Sequence, residues 1–371
     1  MINKNINILS LILVLITIYY IVWIQEDFDE SLINTAEKAK EILNNFNYEN
    51  SKQYIDKYFK KINFIDLSTI NINNDGKIFC SVASYRDMQC PLTVNNMIST
   101  AKHPEKLVIC ICQQNHNEDT NCFSSLDLKG ATLLKIVLTD REARGPCWAR
   151  YLIQQEWRGE QYFLQIDSHM RFVQDWDEKC IHQLIGLPEK ACLTNYVSNF
   201  NLKTGIPDSN NQLRGPLEIV GRKTDNDGFF RVNSGFIEKA DKPMLAYGWA
   251  ACFSFSSSKI LHDAPYDPYT PFLFFGEEMD IWARMYTRGW SVYAPSVPIC
   301  FTSFDRSYRP TFWENPDQNK TEQLSRLRLY YRFGYLKDIP NELKIDNEYY
   351  NLGTEKSWLQ FLTFSLDEKE L

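Results

Sequence analysis

The stretch Gln161–Phe172, QYFLQIDSHMRF, decides how the rest of the chain is read. Tyr162, Phe163, Leu164 and Ile166 form a short apolar run bounded by polar residues, the pattern of a buried strand. The run ends in Asp167-Ser168-His169. An acid and an imidazole two residues apart, where a buried strand runs out, suit a divalent cation at the carboxyl end of an α/β sheet, the edge at which such sheets bind ligands. Asp offers a hard oxygen and His a borderline nitrogen, a set that fits manganese better than calcium, with magnesium as a second choice. The same triplet also suits a strand-end turn with an Asp cap and a satisfied histidine. The neighbouring segments therefore carry the decision.

Working outward, Lys77–Ala83 (KIFCSVA), Lys106–Gln113 (KLVICICQ) and Ala131–Leu138 (ATLLKIVL) read as strands, with helical pattern at Thr93–Ala101 and Pro146–Trp157. Strand-helix alternation of this kind predicts a mostly parallel sheet with helices on both faces. Ala191–Val197, Arg231–Ile237 and Trp249–Phe255 read as further strands. The polar excursion Asn201–Asp227 between them suits a substrate-covering flap or a surface insertion. Glu277–Arg288 reads as a helix closed by Gly289, and Thr321–Arg332 as a last helix.

Four clusters fall at strand-to-helix junctions or loops. Ser84-Tyr85-Arg86-Asp87 follows the first strand, where Arg86 can fork onto a phosphate and Asp87 can take base or ribose groups; a local Arg-Asp pair is the structural alternative. Arg141, Arg144 and Arg150 surround Gly145-Pro146 at a helix start, an anion site reinforced by free N–H groups. In FLFFGEE, Glu277 and Glu278 follow Gly276, and two carboxylates are more than a helix start needs. Arg306, Tyr308 and Arg309 lie in DRSYRPTFWE, where a C-terminal lid can reach a diphosphate.

The N-terminal Ile6–Ile24 is apolar apart from Asn7, Ser10 and Thr17, and it ends in Tyr19, Tyr20 and Trp23, as a membrane-crossing helix with an interfacial belt does. Lys4 before it and Glu26, Asp27, Asp29 and Glu30 after it keep residues 1–5 cytosolic and send the body across. The expectation is a single-pass type II protein with its body facing the ER or Golgi lumen. Residues 25–75 then read as a helical stem, 76–335 as the catalytic domain and 336–371 as a tail. A formal charge of −7 without a long basic block argues against nucleic acid as a partner. Ten cysteines without a CxxC pair are compatible with disulfides or with buried thiols, and Asn319-Lys320-Thr321 is an N-glycosylation sequon.

Together SVASYRD, ARGPCWAR, FLQIDSHMRF, Trp176-Asp177, PYDPYTPFLFFGEE and RSYRPTFWE resemble, in order, the polypeptide and hydroxyproline α-N-acetylglucosaminyltransferase family, over about Lys77–Glu314. The resemblance implies a GT-A fold, UDP-GlcNAc as donor, a divalent metal and retention at the anomeric carbon. By position it assigns Asp167 and His169 to the metal and Arg86, Asp87, Arg144 and Arg150 to the nucleotide-sugar. Glu277 and Glu278 become the catalytic acidic pair beside the sugar and acceptor. The family tends to carry a histidine shortly before the arginine matched by Arg306. Cys300–Asp305 holds none, which leaves Asp305 or a water as its replacement. The expected function is transfer of GlcNAc, or another hexose or HexNAc, to a protein or glycan hydroxyl. A catalytically weak or inactive sugar- or protein-binding member is the contrasting class.

Overall fold

The computed structural model describes residues 32–60, 62, 64–207, 217–224, 228–236, 240–344 and 348–366. The expected tail 1–5 and anchor 6–24 lie outside these residues. Among the described residues no helix is long and apolar enough to cross a membrane.

The strands are β1 (Ile78–Tyr85), β2 (Leu107–Asn115), β3 (Thr132–Thr139), β4 (Tyr162–Asp167), β5 (Met170–Phe172), β6 (Ala191–Thr194), β7 (Leu217–Thr224), β8 (Phe230–Phe236), β9 (Met244–Leu245), β10 (Phe253–Ser257), β11 (Ser291–Ala294) and β12 (Cys300–Thr302). The helices are α1 (32–44), α2 (Tyr48–Tyr58), α3 (Cys90–Thr100), α4 (Pro146–Gln154), α5 (Trp176–Leu184), α6 (Lys259–Asp263), α7 (Glu277–Tyr286), α8 (Gln318–Arg332) and α9 (Trp358–Leu366). An eight-stranded sheet runs β3-β2-β1-β4-β10-β6-β11-β9. Its β3-β2-β1-β4 half is parallel, and β10 enters antiparallel between β4 and β6.

The alternation of apolar residues explains the layers. Phe79, Val108 and Phe163 join the core on the face covered by α4, with Ala149 and Ile153. Ile78, Cys80, Val82, Leu164 and Ile166 join the opposite core, with Val94, Met97 and Ile98 of α3 and Trp176 and Cys180 of α5. Each fully buried side chain of this size contributes about 1.5–3 kcal/mol of transfer free energy, which favours this pairing over a slipped register. The outer strand β3 carries Lys135 and an exposed Val137, a blunted edge.

Two expected strands change place. The 231–237 segment forms β8, which pairs with β7 in a separate hairpin rather than in the main sheet. The 249–255 strand begins at Phe253, because Trp249–Cys252 turn past the end of β4. All ten cysteines are buried free thiols. Helix α7 ends as its sequence indicates. Gly289 adopts φ 83°, donates its N–H to Tyr286 O, and lets Trp290 N–H reach Met285 O.

The segments read as stem and tail are partly packed into the body. On α2, Tyr58 is buried edge-on to Phe272 at 5.4 Å, and its hydroxyl donates to Asp317 at 2.7 Å. On α9, Phe361 packs on Trp282 of α7 at 4.8 Å. A buried charge network ties α7, α8 and the Pro265–Pro268 turn together. Asp267 accepts from Arg328 at 2.8 Å and pairs with Arg332, which also pairs with Asp280. Burial alone would raise the Asp267 carboxyl, but Arg328 and Arg332 overcome it and hold the group well below the usual carboxylate range. Such a lowered group stabilises the fold above its unfolded value and loses that contribution as pH falls. Asp267→Ala removes the carboxylate shared by two buried arginines, leaving Arg332 with Asp280. It is expected to lower the unfolding free energy by about 3–5 kcal/mol at neutral pH in urea titrations, with the difference shrinking on acidification.

Candidate active site

Strand β1 is the switch point of the sheet: β2 lies on one side of it and β4 on the other. Its loop at 84–87 and the end of β4 therefore open onto one crevice, with Ala83 in register with Asp167. A cavity of about 390 Å³ sits there, within the size range of small-molecule sites. Asp167 and His169 both line it, with Asp167 Oδ2 at 3.8 Å from His169 Nε2.

The imidazole is fixed from behind. Asp87, 1% exposed, accepts from His169 Nδ1 at 2.8 Å and from Ser168 Oγ at 2.7 Å. Tyr308 donates to its other oxygen at 2.9 Å, and Arg309 Nε stands 3.4 Å away. Burial alone would raise this carboxyl. The hydrogen bond and charge of His169, with Arg309 and Ser168, reverse the effect and hold Asp87 below the usual carboxylate range. An ionised Asp87 accepts from Nδ1–H, so in the neutral imidazole the Nε2 lone pair is left for a ligand.

Arg150 organises the opposite wall. It donates to Asp167 Oδ1 at 2.9 Å and to Ala251 O at 3.2 Å, and it pairs with Glu277. Tyr266 also donates to Glu277, at 2.6 Å. Glu278 accepts from Ala251 N–H at 2.9 Å and from Tyr196 hydroxyl at 2.9 Å. Burial, reinforced by the Glu277 charge, pushes the Glu278 carboxyl up to about 7.

Residues 302–313 form the outer wall. Arg306 stacks between Phe274 and Trp313 at 5.3 Å from each ring, and Arg309 donates to Tyr85 O at 3.3 Å. Arg231, from β8, packs over Phe275 at 3.9 Å and also faces the cavity.

The structure thus gathers Asp167, His169, Arg150, Glu277, Glu278, Arg306 and Arg309 around one cavity. Three expected nucleotide-sugar residues are placed otherwise. Arg86 forks onto Asp119, at 2.7 and 3.2 Å, from a strained φ of 50°, and does not line the cavity. Arg144 stacks on Trp148 at 4.4 Å and on Tyr58 at 5.4 Å, because α2 covers that side of the turn. Asp87 serves the histidine rather than a base or ribose. Arg141 is exposed, and Asp305 spends its carboxylate on Ser307 in a local turn, away from the cavity. Thr302 and Ser303, rather than Asp305, reach the cavity from the 300–305 segment. Tyr196 and Arg231 were not singled out from the sequence. Each lies in an unremarkable strand or strand exit, and only folding brings it to the crevice.

Asp167 and His169 fit a divalent cation. Two ligands about 2.1 Å from one ion can stand up to about 4 Å apart, and the carboxylate–imidazole buttress behind His169 is the arrangement that orients metal-binding histidines. Among the described residues no group of three or more His, Cys, Asp or Glu is placed to hold a metal.

The model of the glycosyltransferase (GlcNAc) family matches residues 77–139 and 126–366, most of the chain. The chain belongs to that family. No curated protein matches its sequence. Among solved structures, GalNAc-T7 with UDP, GalNAc and Mn2+ matches with a TM-score of 0.53 at 15% identity. The match covers 85% of this chain and 66% of that one, just under two thirds, and it shows the fold. The S. aureus TarS 1-349 complex with UDP-GlcNAc gives a TM-score of 0.40 at 12% identity, over 73% of this chain and 77% of that one.

In this family member the raised Glu278 has a measurable signature. Between the ordinary carboxylate value and about 7 the folded chain keeps a proton that the unfolded chain releases, so this group's contribution to stability falls as pH rises through that window. Glu278→Gln removes the dependence. Relative to wild type it is expected to be more stable at pH 8 than at pH 5, by up to about 3 kcal/mol in urea unfolding.

Proposed function

We propose that this family member is a metal-dependent, retaining glycosyltransferase that moves GlcNAc, or another hexose or HexNAc, from a UDP-sugar to a hydroxyl of a protein (Ser, Thr or hydroxyproline) or a glycan. The observation that carries the reading is the pair Asp167 and His169 at the cavity wall, one oriented by Arg150 and the other by Asp87. The GlcNAc family match supports the donor class, and the Mn2+ and UDP of the GalNAc-T7 structure support the ion and the nucleotide.

Asp167 Oδ2 and His169 Nε2 would hold manganese, or magnesium, leaving the remaining positions to diphosphate oxygens and water. When bound, the ion supplies positive charge against the departing UDP. The chain adds its own. Arg306 and Arg309 present guanidinium groups from the outer wall, prepaid in orientation by their stacking and by Tyr85 O. Phe274, Phe312 and Trp313 keep that wall apolar, which strengthens each charge interaction inside it.

The sugar passes through an oxocarbenium-like state, so nearby carboxylates matter. Glu277 is committed to Arg150 and Tyr266, which hold the negative charge in place. Both oxygens of Glu278 already accept hydrogen bonds, from Ala251 and Tyr196, and its raised pKa lowers its ionised fraction at neutral pH. These facts favour same-face attack, with the leaving UDP oxygen accepting the acceptor proton, over a double displacement through Glu278. Residues 6–24 anchor the protein in the membrane in this reading, with the body in the ER or Golgi lumen.

Two outcomes are expected. In a panel of UDP-sugars with Mn2+, wild type hydrolyses or transfers at least one donor, and Asp167→Ala and His169→Ala each reduce the rate by about 10²-fold or more. Equal rates in wild type and both variants overturn the enzyme reading. In sealed microsomes the body resists added protease until detergent is present, whereas digestion without detergent overturns the lumenal orientation.

A further inference from the structure

Tyr308 belongs to the outer wall, yet its hydroxyl reaches through to the back of the cation site. It donates at 2.9 Å to Asp87 Oδ1, while Asp87 Oδ2 accepts from His169 Nδ1 at 2.8 Å. The chain Tyr308–Asp87–His169 therefore joins segment 303–313 to the imidazole that offers Nε2 to the cavity. Near its middle, Arg306 lies against the rings of Phe274 and Trp313, at 5.3 Å from each. Asp305 and Ser307 bond only within their own turn, and Phe304 is exposed. Its fixed points are Ser303 N–H on His169 O at 3.3 Å, Arg309 on Tyr85 O, and the rings of Phe312 and Trp313 on Phe274. To these Tyr308 adds its bond to Asp87, the carboxylate that orients the His169 imidazole, while the Ser303 bond falls on the backbone oxygen of that histidine.

From this geometry we propose that Tyr308 is a positioning residue that couples seating of segment 303–313 to cation binding at Asp167 and His169. The proposal rests on the cation site of the proposed function. A tyrosine hydroxyl aimed at a buried carboxylate orients that carboxylate, and the carboxylate in turn sets the tautomer and the ring plane of the histidine. The coupling is reciprocal by linkage: what steadies His169 for the ion also makes the bound ion hold the segment down. Tyr308 need not touch substrate in this role.

The test uses the full chain in detergent and Mn2+ alone as the probe. Free Mn2+ is followed by electron paramagnetic resonance, and cleavage by trypsin after Arg306 is followed by mass spectrometry. Groups directly behind metal ligands are worth about 10–100-fold in affinity, so Tyr308→Phe, one bond further out, is expected to raise the Mn2+ Kd about 3–10-fold. Its thermal midpoint should stay near wild type, which separates the effect from misfolding. In wild type, saturating Mn2+ slows cleavage after Arg306, and in Tyr308→Phe this protection shrinks. Tyr308→His, which keeps a donor at shorter reach, serves as the second variant and is expected to fall between the two. If His169→Ala abolishes Mn2+ binding while Tyr308→Phe changes neither affinity nor protection, the coupling is wrong and the cation site stands. If wild type and His169→Ala bind Mn2+ alike, both the cation site and the coupling are overturned.

Discussion

The carboxylate of Asp87 is taken by hydrogen bonds from Ser168, His169 and Tyr308, which reach it from two distant parts of the chain. It is nearly inaccessible to water, and a buried carboxylate persists only when its lone pairs are filled and its charge is met. Ser168, His169, Tyr308 and Arg309, with the Gln89 N–H at 2.9 Å, together meet that demand. Once they do, the imidazole has one tautomer and one orientation, and the end of β4 is locked against the end of β1. The crevice, its outer wall and the availability of Nε2 all follow from this one satisfied charge.

The opposite wall obeys the same rule with the signs reversed. Arg150 is a buried cation, and it is stable there because Asp167, Glu277 and Ala251 O surround it. Glu277 is thereby committed to neutralising Arg150, while Glu278, one residue on, has only dipolar partners and keeps a raised pKa. Two adjacent glutamates thus acquire different chemistry from their surroundings rather than from their identity. Behind them, Asp267, Asp280, Arg328 and Arg332 hold α7 and α8 in a fixed relation, so that the helix start bearing both glutamates has little freedom to shift.

Much of this was legible from pattern. The apolar run before Asp167 and the alternation of strands and helices from Lys77 onward placed the parallel half of the sheet, because burial on two faces leaves a clear periodic trace. Asp167, His169, Arg150, the two glutamates and the 306–309 arginines stood in short motifs at strand ends, where α/β sheets bind ligands. The partners of Arg86 and Arg144 were not legible. Whether an arginine beside a crevice turns inward depends on what else is near it. Asp119 claims Arg86 from the loop after β2, and Tyr58 and Trp148 claim Arg144. Asp119 and Tyr58 are remote in sequence from the arginines they hold, and nothing in the sequence marks Trp148 as a partner of Arg144.

The amino-acid order by itself determined the alternating layers and the residue types at each strand end, since hydrophobic period and turn chemistry are local properties. Only the tertiary structure decided that Asp87 serves a histidine rather than a nucleotide, that the 231–237 strand leaves the main sheet for a hairpin, and that Tyr196 and Arg231 face the cavity. Those outcomes depend on which charges and donors meet across long sequence separations. Burial then forces each to take the partner within reach.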